Sequence, residues 1–341
     1  HRDQVQAILR CESGEPLSAL VLNDSQQEVQ RREWCGLRAE GFSRQKLRFA
    51  WRSVELARRQ RPRRTIIGHR NFLLLAPVLR LVAQRSSRWL LSYGIETQRR
   101  LTAIERACIR SVDRAFAISP QTADALREAG HGGSVDLWPC SLPFSWELPE
   151  PAPPVFANPC RLLTVSRLAP PDRYKGIDDT IRAVARLLKA GTNVTLDVAG
   201  EGEDLTRLQG IARDSGVGAS VFFHGRVGAD ALRRLYSSCD VFVLPSGAEG
   251  FGIVYLEAMA YGKPVVAAEA GVAPYVVRPG ISGFLVPYGN TDALADCIAE
   301  RIAKPEEARA LGEEGRRFLQ DTFSFRALVE RTGEILARGA P

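Results

Sequence analysis

The sequence predicts an α/β protein of two domains, each built on a parallel sheet covered by helices. Three observations carry that expectation. Strand-like apolar runs alternate with helical periodicities along most of the 341 residues. A strand, a glycine loop, a helix and a second strand follow one another between Asp240 and Ala268. A stretch with six prolines, residues 142–160, separates two halves that each alternate in this way. Such an order is the pattern of a parallel sheet with helices on both faces. The expected divisions are a Rossmann-like domain over 1–141, a linker over 142–160, a second Rossmann-like domain over 161–322 and a last helix within 323–341. The linker should be semi-rigid, because proline fixes φ and favours extended chain.

In the first half, residues 1–10 read as a helix and 17–22 as a strand. An α/β domain should open on a strand and turn ahead of that helix, so an N-terminal piece before His1 is expected. Residues 43–59 form an arginine-rich helix, and 65–68 a strand ending at His69. Helix 72–84 and strand 89–92 follow, the latter running into Tyr93-Gly-Ile-Glu96. Helix 101–114, strand 115–118 and helix 122–129 come next, with Ser119 placed to cap the last of these before a short strand, 135–137.

In the second half, strand 161–165 leads through Arg167 and Lys175-Gly176 into helix 177–190. Strand 194–199 ends in Gly200-Glu-Gly-Glu203, which lacks the third glycine of a dinucleotide fingerprint. Strand 221–224 runs into the turn Gly225-Arg226-Val227, helix 230–238 follows, and then comes the central unit. There Val241 to Leu244 is β-branched and aromatic, as buried strands are. Ile253 to Tyr261 is helical, and Gly262 with Pro264 behind it marks the helix end. Strands 264–268 and 283–286 and helices 291–303, 305–322 and 324–337 complete the chain.

The central unit also carries chemistry. Glu249 lies in the glycine loop and Glu257 eight residues on, in the helix. Gly250 and Gly252 let backbone amides approach a ligand, and the start of a helix favours phosphate. Carboxylates would be repelled by that phosphate and are better suited to neutral hydroxyls. A ligand with phosphate at its centre and hydroxyls at both ends, such as a nucleotide-diphosphate sugar, meets both demands. Arg167 and Lys175 can converge on the same phosphates, the first as a bidentate fork and the second as a point charge.

Glu249-Gly-Phe-Gly-Ile-Val-Tyr-Leu-Glu257 resembles the E-x7-E signature of retaining glycosyltransferases of the GT-B fold, family 4, also called group 1. The segment from Arg167 to Lys175-Gly176 is similar to that family's Arg…Lys-Gly element. Tyr93-Gly-Ile-Glu96 with Ala115 to Thr122 resembles bacterial exopolysaccharide enzymes of the family, including mannosyltransferases, with Tyr93 where a histidine is common. The resemblance implies two Rossmann-like domains facing a cleft, with the last helix crossing back to the first domain. It implies catalytic roles for Arg167, Lys175 and Glu249. Gly225, Arg226, Val227, Gly250, Phe251, Gly252, Ile253, Val254 and Glu257 would hold the donor, with Glu257 on the ribose and the intervening amides on the diphosphate. Tyr93, Glu96 and Ser119 would lie toward the acceptor, Ser119 as a helix cap first, and His69, at another strand end, could serve nearby, although a lone histidine is more often structural. The implied reaction is metal-independent transfer of a hexose, with retention, from GDP-mannose to a saccharide or lipid-linked acceptor. UDP-glucose and UDP-N-acetylglucosamine are alternative donors. The sugar nucleotide is a substrate, so no cofactor is expected. A non-catalytic nucleotide-sugar-binding relative is the second reading, and a Rossmann oxidoreductase the third.

Composition bounds the setting. Residues 1–150 hold 24 Lys+Arg against 16 Asp+Glu, and residues 151–341 hold 22 against 23, so the formal charge of +7 belongs to the first half. The basic run 58–64 suits an anionic membrane surface, a lipid diphosphate or simply solvent, while nucleic acid is disfavoured because no interleaved aromatic motif accompanies it. No run of about 18 apolar residues occurs, which argues against a spanning helix. Seven scattered cysteines without a C-x-x-C pair favour reduced thiols and a cytoplasmic setting, with peripheral contact at the inner membrane face.

Overall fold

The computed structural model describes residues 2–12, 17–31, 37–94, 101–143, 146 and 148–338. The chain divides into two compact units, His1–Cys140 with Phe325–Pro341, and Ser141–Ser324.

In the first unit β1 (Ser18–Val21) and β2 (Arg38–Gly41) form a parallel pair. The four strands β3 (Arg64–Ile67), β4 (Ser87–Ser92), β5 (Arg114–Ala117) and β6 (Ser134–Leu137) form a parallel sheet in chain order. Side chains alternate across a strand, and the two cores follow from that. Trp89, Leu91 and Phe116 point to one face, where they meet Ala7 and Ile8 of the helix Arg2–Cys11 and Leu328, Ile335 and Leu336 of the helix Phe325–Arg338. Leu90, Ala115 and Ala117 point to the other, against Leu73, Leu79, Ile109 and Leu126. Trp138 is fully buried and satisfies its indole N–H on Thr332 Oγ1, 3.1 Å away, so the last helix is keyed to this sheet by a polar contact as well as by packing.

Two local departures from the sequence expectations have simple causes. The helix expected over 72–84 is a 3-10 turn, Arg70–Leu75, followed by a short helix, Ala76–Val82. Pro77 lacks an amide proton and starts the second helix in its first turn. The helix Gln26–Arg31 and the strand β2 were not anticipated, because Arg-Ala-Glu-Gly has no apolar alternation to reveal a strand.

The second unit holds β7 (Cys160–Val165), β8 (Val194–Ala199), β9 (Val221–Gly225), β10 (Val241–Leu244), β11 (Val265–Ala268) and β12 (Phe284–Val286). They lie in the order β12-β11-β10-β7-β8-β9, and every pairing is parallel. This is the doubly wound arrangement, in which the winding direction reverses between β7 and β10 and a crevice opens beyond the carboxyl ends of those strands. β10 and β11 are buried throughout, which matches their unbroken apolar sequences. An unanticipated helix, Leu205–Asp214, buries Leu208 and Ala212 despite Gly210 in its middle.

The proline-rich segment is fastened along this unit by its backbone. Asp240 accepts hydrogen bonds from the amides of Val155, Phe156 and Arg161 at 2.8–2.9 Å. Arg309 donates to the carbonyls of Pro154 and Val155, Arg316 donates to those of Pro149 and Ala260, and the Ala152 amide donates to the Tyr261 carbonyl. No helix among the described residues is long and apolar enough to cross a membrane. The described cysteines are free thiols.

Because Asp240 is buried and serves three amides, Asp240→Ala should leave those donors without an acceptor. We predict a loss of about 3 kcal/mol in the denaturant unfolding of the second unit; a loss under about 0.5 kcal/mol would show that the clamp does not hold the segment.

Candidate active site

Four of the residues singled out in the sequence gather at or beside the point where the second sheet reverses direction. β7 ends at Val165 and delivers Arg167, then the 3-10 turn Pro170–Lys175. β10 ends at Leu244 and delivers the loop that contains Glu249, then the helix Ile253–Ala260 with Glu257 in it. The two loops are stitched together, since the Gly247 amide donates to the Tyr174 carbonyl at 2.7 Å. The helix is pinned to its own strand by the Tyr255 hydroxyl, which donates to the Leu244 carbonyl at 2.9 Å in a fully buried position.

The start of that helix is set by Gly252, which sits in the left-handed region at φ +85°. A Cβ there would lie 2.4 Å from the Tyr255 ring, so no other residue fits without displacing the residue that anchors the helix. The first amides of a helix have no partner within it and carry its positive end. Those of Ile253 and Val254 lie in this first turn. The helix ends with the Gly262 amide donating to the Met259 carbonyl and the Lys263 amide donating to the Ala258 carbonyl. The expected glycine stop is therefore a Schellman turn.

The charged residues are paired more tightly than their sequence reading implied. Lys175 Nζ donates to Glu249 Oε1 at 2.5 Å, with side chains 17% and 7% exposed. The lysine expected to face phosphate and the glutamate expected to face sugar thus neutralise each other, as opposite charges in a crevice poor in water do. Arg167 was expected to point its fork at phosphate. It clasps Asp172 instead, at 2.5 and 3.0 Å, while remaining 72% exposed. The Arg167 guanidinium holds the buried Asp172 carboxyl below its ordinary range, and the Tyr174 hydroxyl adds a bond at 3.3 Å.

Glu257 faces Tyr236, whose hydroxyl donates to Oε2 at 2.7 Å. Burial raises the Glu257 carboxyl to about 7, and the bond from Tyr236 opposes that rise in part. Phe251 was expected among the donor-binding residues. Its ring is buried against Phe323 and Tyr275, so only its backbone is available to a ligand.

Gly225 ends β9 and leads into Arg226-Val227, and its carbonyl accepts from the Gly200 amide at 2.9 Å. Arg226 is exposed and pairs with Glu201 at 3.4 Å. Gly200 and Gly202 make room for the neighbouring loop. A Cβ on either would lie within 2 Å of the carbonyl oxygen of Ser166 or Leu168, so these glycines let the Arg167 loop run against the end of β8.

In the first unit His69, Tyr93 and Ser119 follow the carboxyl ends of β3, β4 and β5. His69 Nδ1 accepts from the Asn71 amide and caps the 3-10 turn, and burial lowers its pKa from the ordinary value. The Tyr93 hydroxyl donates to Gln4 at 2.8 Å. Ser119 is 1% exposed and bonded to Thr122, so it is a helix cap and its expected contact with an acceptor is not supported. Glu96 lies outside the described residues. Sequence reading missed Asp172 and Tyr236. The first hides in a proline-rich turn, and the second, an aromatic residue on a helix, carries the pattern of a core residue.

The sequence profile described as Glycosyl transferases group 1 matches residues 153–318. A GDP-mannose-dependent alpha-(1-6)-phosphatidylinositol monomannoside mannosyltransferase of Mycobacterium tuberculosis is 30% identical over 283 residues, which is 77% of this chain and 72% of that protein. The chain belongs to the group 1 glycosyl transferases. The Mycolicibacterium smegmatis protein of the same description is 37% identical over 183 residues, and the match spans 52% of this chain but only about half, 47%, of that relative. Among solved structures, HepE of Anabaena in complex with UDP-glucose superposes with a TM-score of 0.77, at 21% identity over 99% of this chain and 96% of its own. That likeness concerns the fold, and it makes this group 1 glycosyl transferase a GT-B protein with two Rossmann-like units.

A carboxyl held near 7 in the folded state and near 4.5 when unfolded means that the native protein binds more protons between those values. Stability contributed by the protonated form is therefore present below pH 4.5 and lost as pH rises through about 7. Glu257→Gln should flatten this dependence and be the more stable protein at pH 8, by up to about 3 kcal/mol, in denaturant unfolding compared at pH 5 and pH 8. An unchanged pH slope would contradict the desolvated carboxyl.

Proposed function

We propose that this chain moves a hexose, with retention, from a nucleotide-diphosphate sugar to a saccharide or lipid-linked acceptor, without a metal or other cofactor. The observation that carries this reading is the convergence, where the second sheet reverses, of the Lys175–Glu249 pair and a helix start set by Gly252 in the left-handed region. GDP-mannose is the favoured donor because the relatives named above are GDP-mannose-dependent.

In this account the diphosphate docks on the Ile253 and Val254 amides and takes Lys175 from Glu249. Glu249 then accepts hydrogen bonds from the sugar hydroxyls and Glu257 from the ribose. Arg167, exposed above Asp172, swings onto the phosphate oxygens. As the anomeric C–O bond breaks, negative charge grows on the leaving phosphate, where preorganised cations and amides stabilise it. The acceptor oxygen bonds to the anomeric carbon on the same face, and its proton passes to the departing phosphate. His69 and Tyr93, at the carboxyl edge of the first sheet, are the acceptor-side residues of this account.

We also propose that the first unit carries a membrane face. Leu47 and Trp51, one turn apart on the helix Lys46–Gln60, are 88% and 66% exposed, and the exposed cations Arg44, Lys46 and Arg48 lie close to them in the sequence. Exposed apolar side chains on a basic stretch of helix suit an anionic bilayer surface. On this reading the start of the helix, rather than the run 58–64, is the segment we propose for peripheral contact.

Titration calorimetry should show binding of a nucleotide sugar and none of NAD, and NAD binding alone would overturn the proposal in favour of an oxidoreductase. Donor binding without turnover on any lipid-linked acceptor would favour the non-catalytic reading. Lys175→Ala and Arg167→Ala should each lower kcat by a factor of about 10² to 10³; turnover equal to the parent in either variant would remove that residue from the mechanism. Leu47→Ser with Trp51→Ser should abolish sedimentation with anionic phospholipid vesicles, and undiminished sedimentation would place the membrane face elsewhere.

A further inference from the structure

Glu257 is held by a neighbour that no catalytic motif contains. The Tyr236 hydroxyl lies 2.7 Å from Glu257 Oε2 and 3.5 Å from the Val254 carbonyl, while its ring has no exposed surface. That ring stacks on Tyr261 with 9° between planes and a centroid distance of 5.9 Å, and it packs edge-on against Trp146. Phe242 of β10 closes a further side at 5.8 Å. Tyr236 therefore has little rotational freedom, and its hydroxyl points at one carboxylate oxygen.

The helix that carries Tyr236, Ala229–Ser238, is itself pinned at its end. Lys263 Nζ is buried and donates to the carbonyls of Ser237 and Cys239 at 2.9 and 2.7 Å. Lys263 follows Gly262, the residue that stops the helix bearing Glu257. One turn thus fixes both partners: it ends the Glu257 helix and sends a cation to the C-terminal end of the Tyr236 helix, where cations are favoured. A carboxylate with one oxygen fixed in this way presents the other in a constant direction.

We infer that Tyr236 is a positioning residue for nucleotide-donor binding, acting through Glu257. The inference rests on the proposed placement of the ribose on Glu257. Tyr236 spends its hydroxyl proton on one carboxylate oxygen, which orients the carboxylate and leaves its remaining acceptor capacity for two adjacent hydroxyls of a pentose. The same bond favours the ionised carboxylate, the form that accepts from both hydroxyls. Among the described residues, the other titratable groups near this pair are Tyr261, on the turn after the Glu257 helix, Cys239, after the Tyr236 helix, and Lys263, on the carbonyls of Ser237 and Cys239, while Arg233 acts on Tyr261.

The test compares Tyr236→Phe, Glu257→Ala and the double variant with the parent enzyme, using GDP and GDP-mannose as probes. Tyr236→Phe keeps the ring and should fold as the parent does, which thermal unfolding checks. It should weaken GDP and GDP-mannose binding about tenfold, as loss of a hydrogen bond to a charged group implies, with kcat within about twofold of the parent. The pH at which donor affinity falls by half should move upward from its parent value. In the double variant the tyrosine change should add nothing to the loss caused by Glu257→Ala. Tyr236→Phe with unchanged affinity and an unchanged pH midpoint would overturn the inference, as would a tyrosine effect that persists in full without Glu257. If Glu257→Ala itself leaves GDP affinity intact, the ribose placement fails first, and the inference falls with it for that separate reason.

Discussion

A lysine and a glutamate held 2.5 Å apart, on loops from two neighbouring strands, are the constraint around which the second unit is arranged. Each is largely withdrawn from water, and a buried charge that loses its partner is costly. The pair's charges therefore balance each other, and in the proposed mechanism the ligand replaces that balance with its own negative charge for Lys175 and hydroxyl donors for Glu249. A diphosphate joined to a sugar brings both.

The scaffold keeps this pair in register through backbone contacts that tolerate few substitutions. Parallel pairing of β7 with β10 puts both loops at the same sheet edge, and the bond from the Gly247 amide to the Tyr174 carbonyl ties one loop to the other. Tyr255 fastens the helix start to the end of β10, and Gly252 gives way to its ring. Asp172 and Asp204, both buried, tie down the cationic turn from below: Asp172 takes Arg167, and Asp204 takes Arg173 and Arg207.

Much of this was legible in the chain. The strand runs 161–165 and 241–244, the glycine loop and the two glutamates announce a ligand site at a parallel sheet edge, because apolar period and turn chemistry are local properties. Partner choice is not local. Nothing in the sequence says that Lys175 meets Glu249, that Arg167 meets Asp172 five residues on, or that Tyr236 reaches a glutamate on the next helix. Each of these depends on how loops fold back on one another. The edge strand β2 stayed hidden for the opposite reason, since Arg-Ala-Glu-Gly satisfies the backbone without any apolar signature. Phe251 shows a third limit: a residue inside a ligand motif was claimed by the core through Phe323, more than seventy positions away.

The central claim is that a diphosphate takes Lys175 away from Glu249. A crystal structure of the complex with GDP-mannose tests it most directly. The account predicts Lys175 Nζ within hydrogen-bonding distance of a phosphate oxygen, Glu249 turned to the sugar hydroxyls, and the Ile253 and Val254 amides on the diphosphate. A bound donor that leaves the Lys175–Glu249 bond intact, with its phosphates held elsewhere, would contradict it.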